Sequence, residues 1–564
     1  MRNFLKNSTS ILTDKQSGIL SAAFIIMVAV LASGLLGIVK NRLLVGAFFG
    51  GNEWQLDVYF AAFRLPDMIF QLLVTGSLSA AFIPVFSELL EEKEKKAYEV
   101  ASSVINIGFL IFIVFSGIIF IFAKPFSQLI AQGFSPEKII LMVKLTRIML
   151  IAQLFFIVSN FLTGIVQSHQ RFLIPAFAPV AYNLGIIFGV VVLSPMLGIY
   201  GPTVGVVIGA FLHFIIQLPL ALNLGFKYSF LFDIKDKFVR EIGRLMLPRT
   251  IALAVSQIDL TNDVFLASTM AAGSLSIFYF AQNLMLLPVR LFGATIGQAS
   301  LPALSREYAK KDIENFKKIL LSSLNQILYL TLLASTIIII LRVPIVRIAL
   351  GAKNFTWKAT ILTGKTLAFF AISIFAQALI HLLARAFYAL HDTKTPLIIS
   401  ICTITLNVIL SLFFTFWLGL AVFGLALATS IANIINVCFL LLNLAKKVGG
   451  FSHDDLTKPV LKIFSVALMT AFALYIPMKF LDRYILDTTR TVNLIVLTAM
   501  ATVSGTGVYF LMSWVLGIKQ LQTLVKLFYR VRNWQEALKK QKSSGPLGTL
   551  SQTEVTEGSS EPRT

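Results

Sequence analysis

Charged residues are scarce in this sequence. Only 13% of its 564 residues are Asp, Glu, Lys or Arg, whereas 57% are hydrophobic. A soluble protein carries about 25% charged residues. The apolar residues also come in blocks of about 20, long enough to cross a bilayer as helices. The composition therefore excludes a soluble globular fold and predicts an all-α polytopic membrane protein.

Cysteine and histidine are also rare. The two cysteines, Cys402 and Cys438, both lie in apolar runs, so neither a disulfide framework nor a CxxC metal site is present. The five histidines are scattered and do not stand at ligand spacing from carboxylates. The sequence has no Walker loop, GxSxG or HExxH motif. We therefore predict a protein that is not an enzyme.

Acidic residues are outnumbered by basic ones, and the net charge is +21 at pH 7. In a soluble chain this balance would indicate nucleic acid, but here the basic residues concentrate in short loops and in the tail. This is the distribution that the positive-inside rule predicts. We therefore expect no nucleic-acid partner and both termini in the cytoplasm. One loop is the exception, because it contains Arg342, Arg347, Lys353 and Lys358.

Fourteen apolar segments are predicted to span the membrane. They are residues 18–40, 57–88, 99–123, 140–166, 174–194, 201–224, 246–270, 275–302, 318–342, 361–389, 396–418, 420–444, 460–480 and 491–516. The first is too long for a cleaved signal and is expected to act as a signal anchor. The second, eighth and tenth are long and contain proline or polar residues, so we expect kinks or tilts there.

The sequence repeats itself after about 220 residues. Residues 60–88 and 278–306 align without a gap, so that Pro84 meets Pro302. Residues 168–183 and 389–407 share a short loop, a proline and a later asparagine. Equivalent spans are separated by an even number of crossings, so the two halves have the same orientation, which is a transporter architecture.

These features divide the chain into six parts. They are an N-terminal lobe of six spans (1–224), a cytoplasmic linker (225–245), a C-terminal lobe of six spans (246–445), two further spans (446–516), a basic amphipathic segment (517–540) and a disordered tail (541–564). The amphipathic segment is predicted to lie on anionic membrane lipids.

Charged side chains within spans are costly, by about 2.5–3.5 kcal/mol each on insertion scales, and usually face a protein-lined cavity. Three groups stand out: Ser33, Lys40, Arg42, Asp57 and Arg64; Arg249, Gln257, Asp259 and Asp263; and Arg290, Lys365 and Arg385. The first group indicates either a cationic pocket for a phosphate or, for Lys40 and Arg42, snorkelling to the interface. The second indicates either a cation or proton site or a buried ion pair.

Three stretches resemble the MurJ/MviN family of lipid II flippases. They are residues 33–88, LTGIVQSHQRFLIPAFAPVAYN (162–183) and LARAFYALHDTKTP (383–396). The resemblance implies two six-helix lobes around a central polar cavity, with alternating access. It also implies a substrate, lipid II, in which undecaprenyl diphosphate is linked to a disaccharide-pentapeptide. Membrane potential, and sodium in some members, is thought to drive transport in this family.

The pocket departs from the family pattern at several positions. The first span of the family resembles S-R-x-x-G-x-x-R-D, whereas this chain has Gly34, Lys40 and Asn41 at its second, eighth and ninth positions. The arginine expected in the eighth span falls at Asn283, with Arg290 two turns further on. We predict substrate binding by Ser33, Lys40, Asp57, Arg64, Arg249 and Arg290. We predict a candidate sodium site at Asp263, Asn407 and Thr429, where a second family carboxylate is Ser411.

The resulting hypothesis is a flippase that moves lipid II from the cytoplasmic to the outer leaflet of the bacterial inner membrane. Its partners would be the lipid-linked glycan, membrane lipids and, as candidates, cell-wall synthesis proteins. Three alternatives stay open at this point. They are a drug or cation antiporter of the same superfamily, a flippase for another polyprenyl-linked glycan, and a membrane scaffold that transports nothing.

Overall fold

The computed structural model describes residues 19–75 and 81–525, with side chains from residue 28 except at 75, 247–249, 251 and 252. These residues form fourteen long helical segments and two short connecting helices, Ala123–Ile130 and Arg342–Leu350. Every regular element among these residues is helical. The segments are α1 (Ile19–Phe48), α2 (Glu53–Ala62, Arg64–Phe70, Gln71–Thr75 and Ile83–Glu92), α3 (Glu94–Ile121), α4 (Pro136–Ser168), α5 (Leu173–Leu197), α6 (Tyr200–Asn223), α7 (Lys237–Ser268), α8 (Ser274–Ala309), α9 (Ile313–Ile340), α10 (Trp357–Ala389), α11 (Lys394–Trp417), α12 (Phe423–Val448), α13 (Thr457–Tyr484) and α14 (Thr491–Val515).

Twelve helices in the described residues are long and apolar enough to cross a membrane. The other two segments, α2 and α7, complete the predicted fourteen and are the more polar ones. The 32 residues of α7 include Asp259 and Asp263 as well as a basic first half. The all-helical fold with many spans is thus confirmed, and its two least apolar segments carry half of the charged and polar residues singled out in the sequence.

The internal repeat is visible in the irregular parts of the backbone. Short π-helical turns, in which the helix is locally widened, occur at Gln71–Thr75 in α2 and at Val289–Ala294 in α8, with starts 218 residues apart. Two more occur at Gly189–Leu193 in α5 and at Phe413–Trp417 in α11. Such turns are rare, so their recurrence at matching positions supports the predicted duplication.

The loops repeat as well. Gln170 and His391, which are 221 residues apart, both have left-handed backbone angles, with φ of 60° and 57°. Gly198 and Gly419 follow the same spacing, with φ of 56° and 59°. The connections that follow α4 and α10 therefore have the same local geometry, as the second pair of similar segments predicted.

The expected kinks lie in the predicted spans. α10 is interrupted at Ile372 and Ser373, and the carbonyl groups freed there accept hydrogen bonds from hydroxyl groups of neighbouring helices. Ser430 of α12 donates to Phe369 O at 2.6 Å, and Ser335 of α9 donates to Ala371 O. A backbone break at membrane depth is tolerated when neighbouring helices satisfy the freed groups in this way.

Close helix packing in the first half depends on glycine. A Cβ atom placed on Gly209 of α6 would lie 2.5 Å from the carbonyl oxygen of Tyr182 in α5, and one on Gly185 would lie 2.3 Å from Gly209 Cα. Real Cβ contacts are not this short. The two helices can therefore approach only while both positions lack side chains.

A Gly209→Ala variant is accordingly expected to lose about 1–3 kcal/mol of stability, because overpacking displaces the backbone of α5. Thermal unfolding in detergent measures this loss. Gly117→Ala is the control, because a Cβ atom at Gly117 meets nothing within 4 Å. Equal unfolding temperatures for the two variants would contradict the packing argument.

The loops of the bundle define two faces. The Gly51 face contains the loops at 49–52, 131–135, 269–273, 351–356 and 485–490, and the Lys96 face contains those at 169–172, 224–236, 310–312, 390–393 and 449–456. Ion pairs of the second face include Lys96 with Asp236 at 2.7 Å and Lys447 with Asp392 at 2.7 Å.

The two extra helices, α13 and α14, pack on each other and on α9. Tyr329 of α9 donates to Ser513 of α14 at 3.0 Å, and Tyr509 donates to Tyr329 O at 2.7 Å. The basic segment predicted at 517–540 continues as helix from residue 519 as far as residue 525. Its remainder and the tail at 541–564 lie outside the described residues, as do residues 1–18. The predicted division into lobes, linker and tail stays a prediction.

Candidate functional site

Asp57 joins the two halves of the bundle. Its carboxylate lies at the first turn of α8 and accepts hydrogen bonds from Gly273 N at 2.6 Å, Ser276 N at 2.8 Å and Ser276 Oγ at 2.7 Å. The first N–H groups of a helix have no partner inside it, and Gly273, at the N-cap position, has no side chain to accept them. Asp57 therefore supplies this cap from α2, in a position that the helix dipole also favours.

Arg64 forms a second joint, one that connects α2 with α7. Its Nε donates to Thr261 Oγ1 at 2.9 Å, and its Nη2 donates to Gln257 O at 2.9 Å and to Gln257 Oε1 at 2.6 Å. The side chain is 3% exposed. Arg64 thus uses three of its five N–H groups on one neighbouring helix.

Further joints involve α1 and the connection between α9 and α10. Arg42 donates to Ile348 O at 2.8 Å, and Asn354 donates to Gly46 O at 2.9 Å. Together with the Asp57 joint, these are the hydrogen bonds seen between described residues of α1–α6 and α8–α12. All of them lie near the Gly51 face, whereas the bonds of α2 with α7, from Arg64 and from Thr250 Oγ1 to Leu72 O at 3.1 Å, lie deeper in the bundle. The two halves are therefore joined at that face and along α7.

Lys40 and Arg290 have no hydrogen bond or ion pair with any described residue, and we call them the unpaired cations. Lys40 is half-buried in α1, seven residues after Ser33 and therefore on the same side of that helix. Arg290 is exposed and lies in the π-helical turn of α8, about 24 Å of helix rise from the Gly51 face. It follows Leu287 by one turn.

The position of Leu287 shows which surface Arg290 shares. A Cβ atom on Gly34 of α1 would lie 3.3 Å from Leu287 Cδ1. The side of α8 that contains Leu287 therefore faces α1 across the junction of the two halves. Gly34 is also the position at which the family pattern has an arginine. Arg290 therefore lies on the facing helix, about one turn from the residue that approaches Gly34.

The other predicted substrate residues differ in their surroundings. Ser33 accepts from Asn183 of α5 at 3.2 Å through both its carbonyl and its hydroxyl oxygen. Arg249 belongs to α7, but its side chain lies outside the described residues. Arg385 of α10 donates to Ala294 O at 2.7 Å, which satisfies a carbonyl group at the end of the π-helical turn of α8. Substrate contact by these residues, and by Asp57 and Arg64, stays a prediction.

The predicted sodium residues lie on α7 (Asp263), α11 (Asn407) and α12 (Thr429), and α11 contacts α7 through the neighbouring Asp259. Asn407 donates to Asp259 Oδ1 at 2.7 Å. Both helices run from the Lys96 face to the Gly51 face, so the residues four positions further along each helix, Asp263 and Ser411, lie at the same level. Asp263 has no ion pair within 4.0 Å among the described residues, but it lies close enough to Arg64 for the two charges to attract each other. Both alternatives for this group therefore stay predictions.

Three buried oxygen atoms of α7 and α11 are candidate ligands of a cation. Asp263 Oδ1, Asn407 Oδ1 and Ser411 Oγ are buried, and none of them has a hydrogen-bond partner among the described residues. Buried polar atoms are almost always satisfied, and a bound ion is one way to satisfy such a group. Carboxylate, amide and hydroxyl oxygens are ligands that hard cations accept. Thr429 Oγ1 instead donates to Leu425 O at 3.0 Å.

Sequence reasoning did not single out Thr261, Gly273 and Ser276 as partners of charged residues. The signal for Ser276 was indirect, because a helix that begins after glycine needs an acceptor from elsewhere. Thr261 lies four residues after Gln257, so the two share one helix face. The sequence could show this face but not that Arg64 binds to it.

A duplicated helical bundle with charged side chains inside its spans is the architecture of repeat-built membrane transporters. The family model described as "Lipid II flippase MurJ" matches residues 46–496. The chain therefore belongs to this family, as the resemblance of its motifs predicted, and the family consists of transporters rather than enzymes.

Individual relatives agree with this assignment. The chain is 30% identical over 425 residues to a probable lipid II flippase MurJ of Buchnera aphidicola subsp. Acyrthosiphon pisum, covering 73% of this chain and 81% of the relative. It is 29% identical over 437 residues to a probable lipid II flippase MurJ of Vibrio cholerae, covering 75% and 82%.

Solved structures are similar as well. A lipid II flippase MurJ in an inward closed conformation superposes with a TM-score of 0.72 at 27% identity, covering 86% of this chain and 99% of that one. An inward-facing multidrug transporter of the MATE family shares the fold alone, with a TM-score of 0.59 at 14% identity, covering 75% of this chain and 98% of the other.

Proposed function

We propose that the protein moves lipid II across the bacterial inner membrane, from the Lys96 face to the Gly51 face. The observation that carries this proposal is the match to the lipid II flippase family over residues 46–496. No bond is made or broken in this process. The protein lowers the cost of taking a polar head group through hydrocarbon, where each unsatisfied polar group costs several kcal/mol.

The unpaired cations are the groups that we assign to the diphosphate. A diphosphate is bound best by several charged donors at once, and Lys40 and Arg290 are not committed to any described protein group. Arg64 and Arg42, by contrast, already donate to protein oxygens. Arg290 therefore takes the role of the family arginine that Gly34 lacks.

The Lys96 face is assigned to the cytoplasm. Its loops and the adjoining helix ends are richer in basic residues than the opposite face and include Lys93, Lys95, Arg171, Lys235 and Lys311. Cytoplasmic segments next to membrane spans are enriched in Lys and Arg. This orientation places both termini in the cytoplasm. With the Gly51 face tied shut, lipid II enters from the cytoplasmic side, and its release requires the Asp57 joint to open.

Transport of fluorescent lipid II in proteoliposomes tests the function directly. The purified protein should make the labelled head group accessible in the opposite leaflet, whereas vesicles without the protein should not. In cells, depletion should cause lysis and accumulation of lipid-linked precursor. Sensitivity to cationic dyes without precursor accumulation would instead favour a drug antiporter.

The cluster around Asp263 is proposed as a sodium site that drives this transport. An Asp263→Asn variant removes the charge while keeping the side-chain shape, so the sodium concentration for half-maximal transport should rise at least about tenfold. Transport assays at varied sodium and constant ionic strength measure this value. Asp455→Asn, which changes an exposed carboxylate of the Lys96 face, is the control. An unchanged sodium response of the first variant would remove the assignment.

A further inference from the structure

A second cationic site lies at the Gly51 face, away from the unpaired cations. A cavity of about 810 Å³ lies between α1, the connection from α9 to α10, and the loop that joins α13 to α14. Its lining includes Arg42, Arg347, Lys353, Trp357, Thr488 and Thr491. This volume is in the range of pockets that bind small ligands, about 300–1,000 Å³.

The positive charge of this cavity is not balanced by its own walls. Its lining contains three basic residues and no carboxylate. Arg42 donates to Ile348 O, and Arg347 donates to Thr489 O at 3.5 Å, so these two contact neutral carbonyl groups. Lys353 is exposed and has no hydrogen-bond or ion-pair partner among the described residues. The nearby Asp487 is paired with Arg490 at 4.0 Å and is not part of the lining.

Two helices add to the positive potential. α10 starts at Trp357 and α14 at Thr491, and the first residues of both line the cavity. Helix N-termini carry partial positive charge. The first turn of α10 is capped by Thr356, which accepts from Ala359 N at 3.2 Å, whereas α14 has no side-chain cap. The hydroxyl of Thr491 lies in the same wall, whereas that of Thr488 already donates to Asp482 Oδ1 at 2.7 Å. Charged donors together with threonine hydroxyls are the chemistry that recognises phosphate.

The cavity also borders the lipid region. Trp357 is 62% exposed, its ring lies 5.9 Å from the Arg347 guanidinium carbon, and Val492 of α14 is exposed beside Thr491. Exposed tryptophan is typical of membrane interfaces. Arg347 and Lys353 also belong to the one basic loop that departs from the charge distribution of the other loops. A site for an anion gives these charges a physical reason.

We propose that this cavity binds a phosphate group at the Gly51 face. The same chemistry could be presented by an anionic phospholipid of the adjacent leaflet or by a soluble phosphorylated compound. The inference does not depend on lipid II transport, because none of the lining residues belongs to the unpaired cations or to the candidate sodium site.

Native mass spectrometry of the full-length protein, reconstituted with a mixture of phosphatidylglycerol and phosphatidylcholine, tests the proposal. The unaltered protein should retain phosphatidylglycerol in preference to phosphatidylcholine. An Arg347→Gln, Lys353→Gln double variant should lose at least about tenfold of that preference, because two charge-assisted contacts are removed. Lys353→Gln alone, which breaks no contact with the described residues, should show a smaller loss without any effect on folding.

The matched control is a Lys358→Gln, Arg483→Gln double variant. It removes the same charges from the same face but outside the cavity lining. A second arm replaces the lipid by inorganic pyrophosphate in phosphatidylcholine nanodiscs. Binding of pyrophosphate alone, lost in the cavity variant, would identify a soluble ligand. The proposal would be overturned if the cavity variant bound the lipid as well as the control and the unaltered protein do, and if the three proteins also bound pyrophosphate equally.

Discussion

An Asp57→Asn variant is expected to open at the Gly51 face far more often than the unaltered protein. The carboxylate accepts from Gly273 N through one oxygen and from Ser276 through the other. The asparagine amide has a single acceptor oxygen, so its NH₂ group, which is itself a donor, would face one of these N–H donors and could not accept its hydrogen bond. Leaving a buried donor unsatisfied costs about 1–3 kcal/mol, which changes the ratio of open to closed molecules by roughly five- to hundredfold.

Spin labels at Asn52 and Ala271 report this change, because both positions are exposed at the Gly51 face and lie on opposite sides of the Asp57 joint. The labels require replacement of Cys402 and Cys438, which are free and exposed. In the Asp57→Asn protein the distance distribution between the labels should gain a longer component.

Glu53→Gln is the matched control for this experiment. Glu53 lies four residues before Asp57, and its carboxylate accepts only from Gly50 N and Gly51 N of its own loop. The charge change is the same, but no bond between the halves is lost. If Glu53→Gln opened the face as much as Asp57→Asn did, general loss of negative charge would explain the effect and the capping role would be wrong.

A Lys40→Gln, Arg290→Gln double variant is expected to reduce lipid II transport by about a hundredfold or more. Each hydrogen bond to a charged group contributes about 1.5–3 kcal/mol, and every 1.4 kcal/mol is a factor of ten. Because neither cation binds a described protein group, their removal should leave folding intact. The proteoliposome assay measures the transport rate, and thermal unfolding checks that the fold is preserved.

Lys144→Gln combined with Arg483→Gln is the control for this pair. Both residues are exposed on spanning helices, α4 and α13, and the net charge falls by the same amount. Its transport should stay near that of the unaltered protein. Full transport by the Lys40, Arg290 variant would show that the diphosphate is held elsewhere, and Arg249 would then be the next residue to replace.

Much of the fold could be predicted from the residues alone. The apolar blocks predicted the spans, and the ungapped similarity of residues 60–88 to 278–306 predicted two equivalent halves, which the recurrent π-helical turns support. Apolar block length and segment similarity are properties of short stretches of sequence, so they can be recognised without knowing how distant segments pack.

The candidate site was less predictable. Asp57, Arg64 and Arg290 could all be recognised as charged groups at membrane depth, but nothing in the sequence separated those that join helices from those left unpaired. Asp57 and Gly273 are 216 residues apart. The cavity at the Gly51 face combines residues of three distant segments, and only one of them, the basic loop, stood out in the sequence.

The sequence by itself determined that this chain is a duplicated helical membrane protein with cationic groups inside its spans, because hydrophobic block length and charge placement are local properties. The tertiary structure alone decided which of these charges are committed to joints at the Gly51 face and which are free to bind an anion. The physical reason is that a hydrogen bond or ion pair depends on how distant helices are placed relative to one another, and that placement results from the packing of the whole bundle.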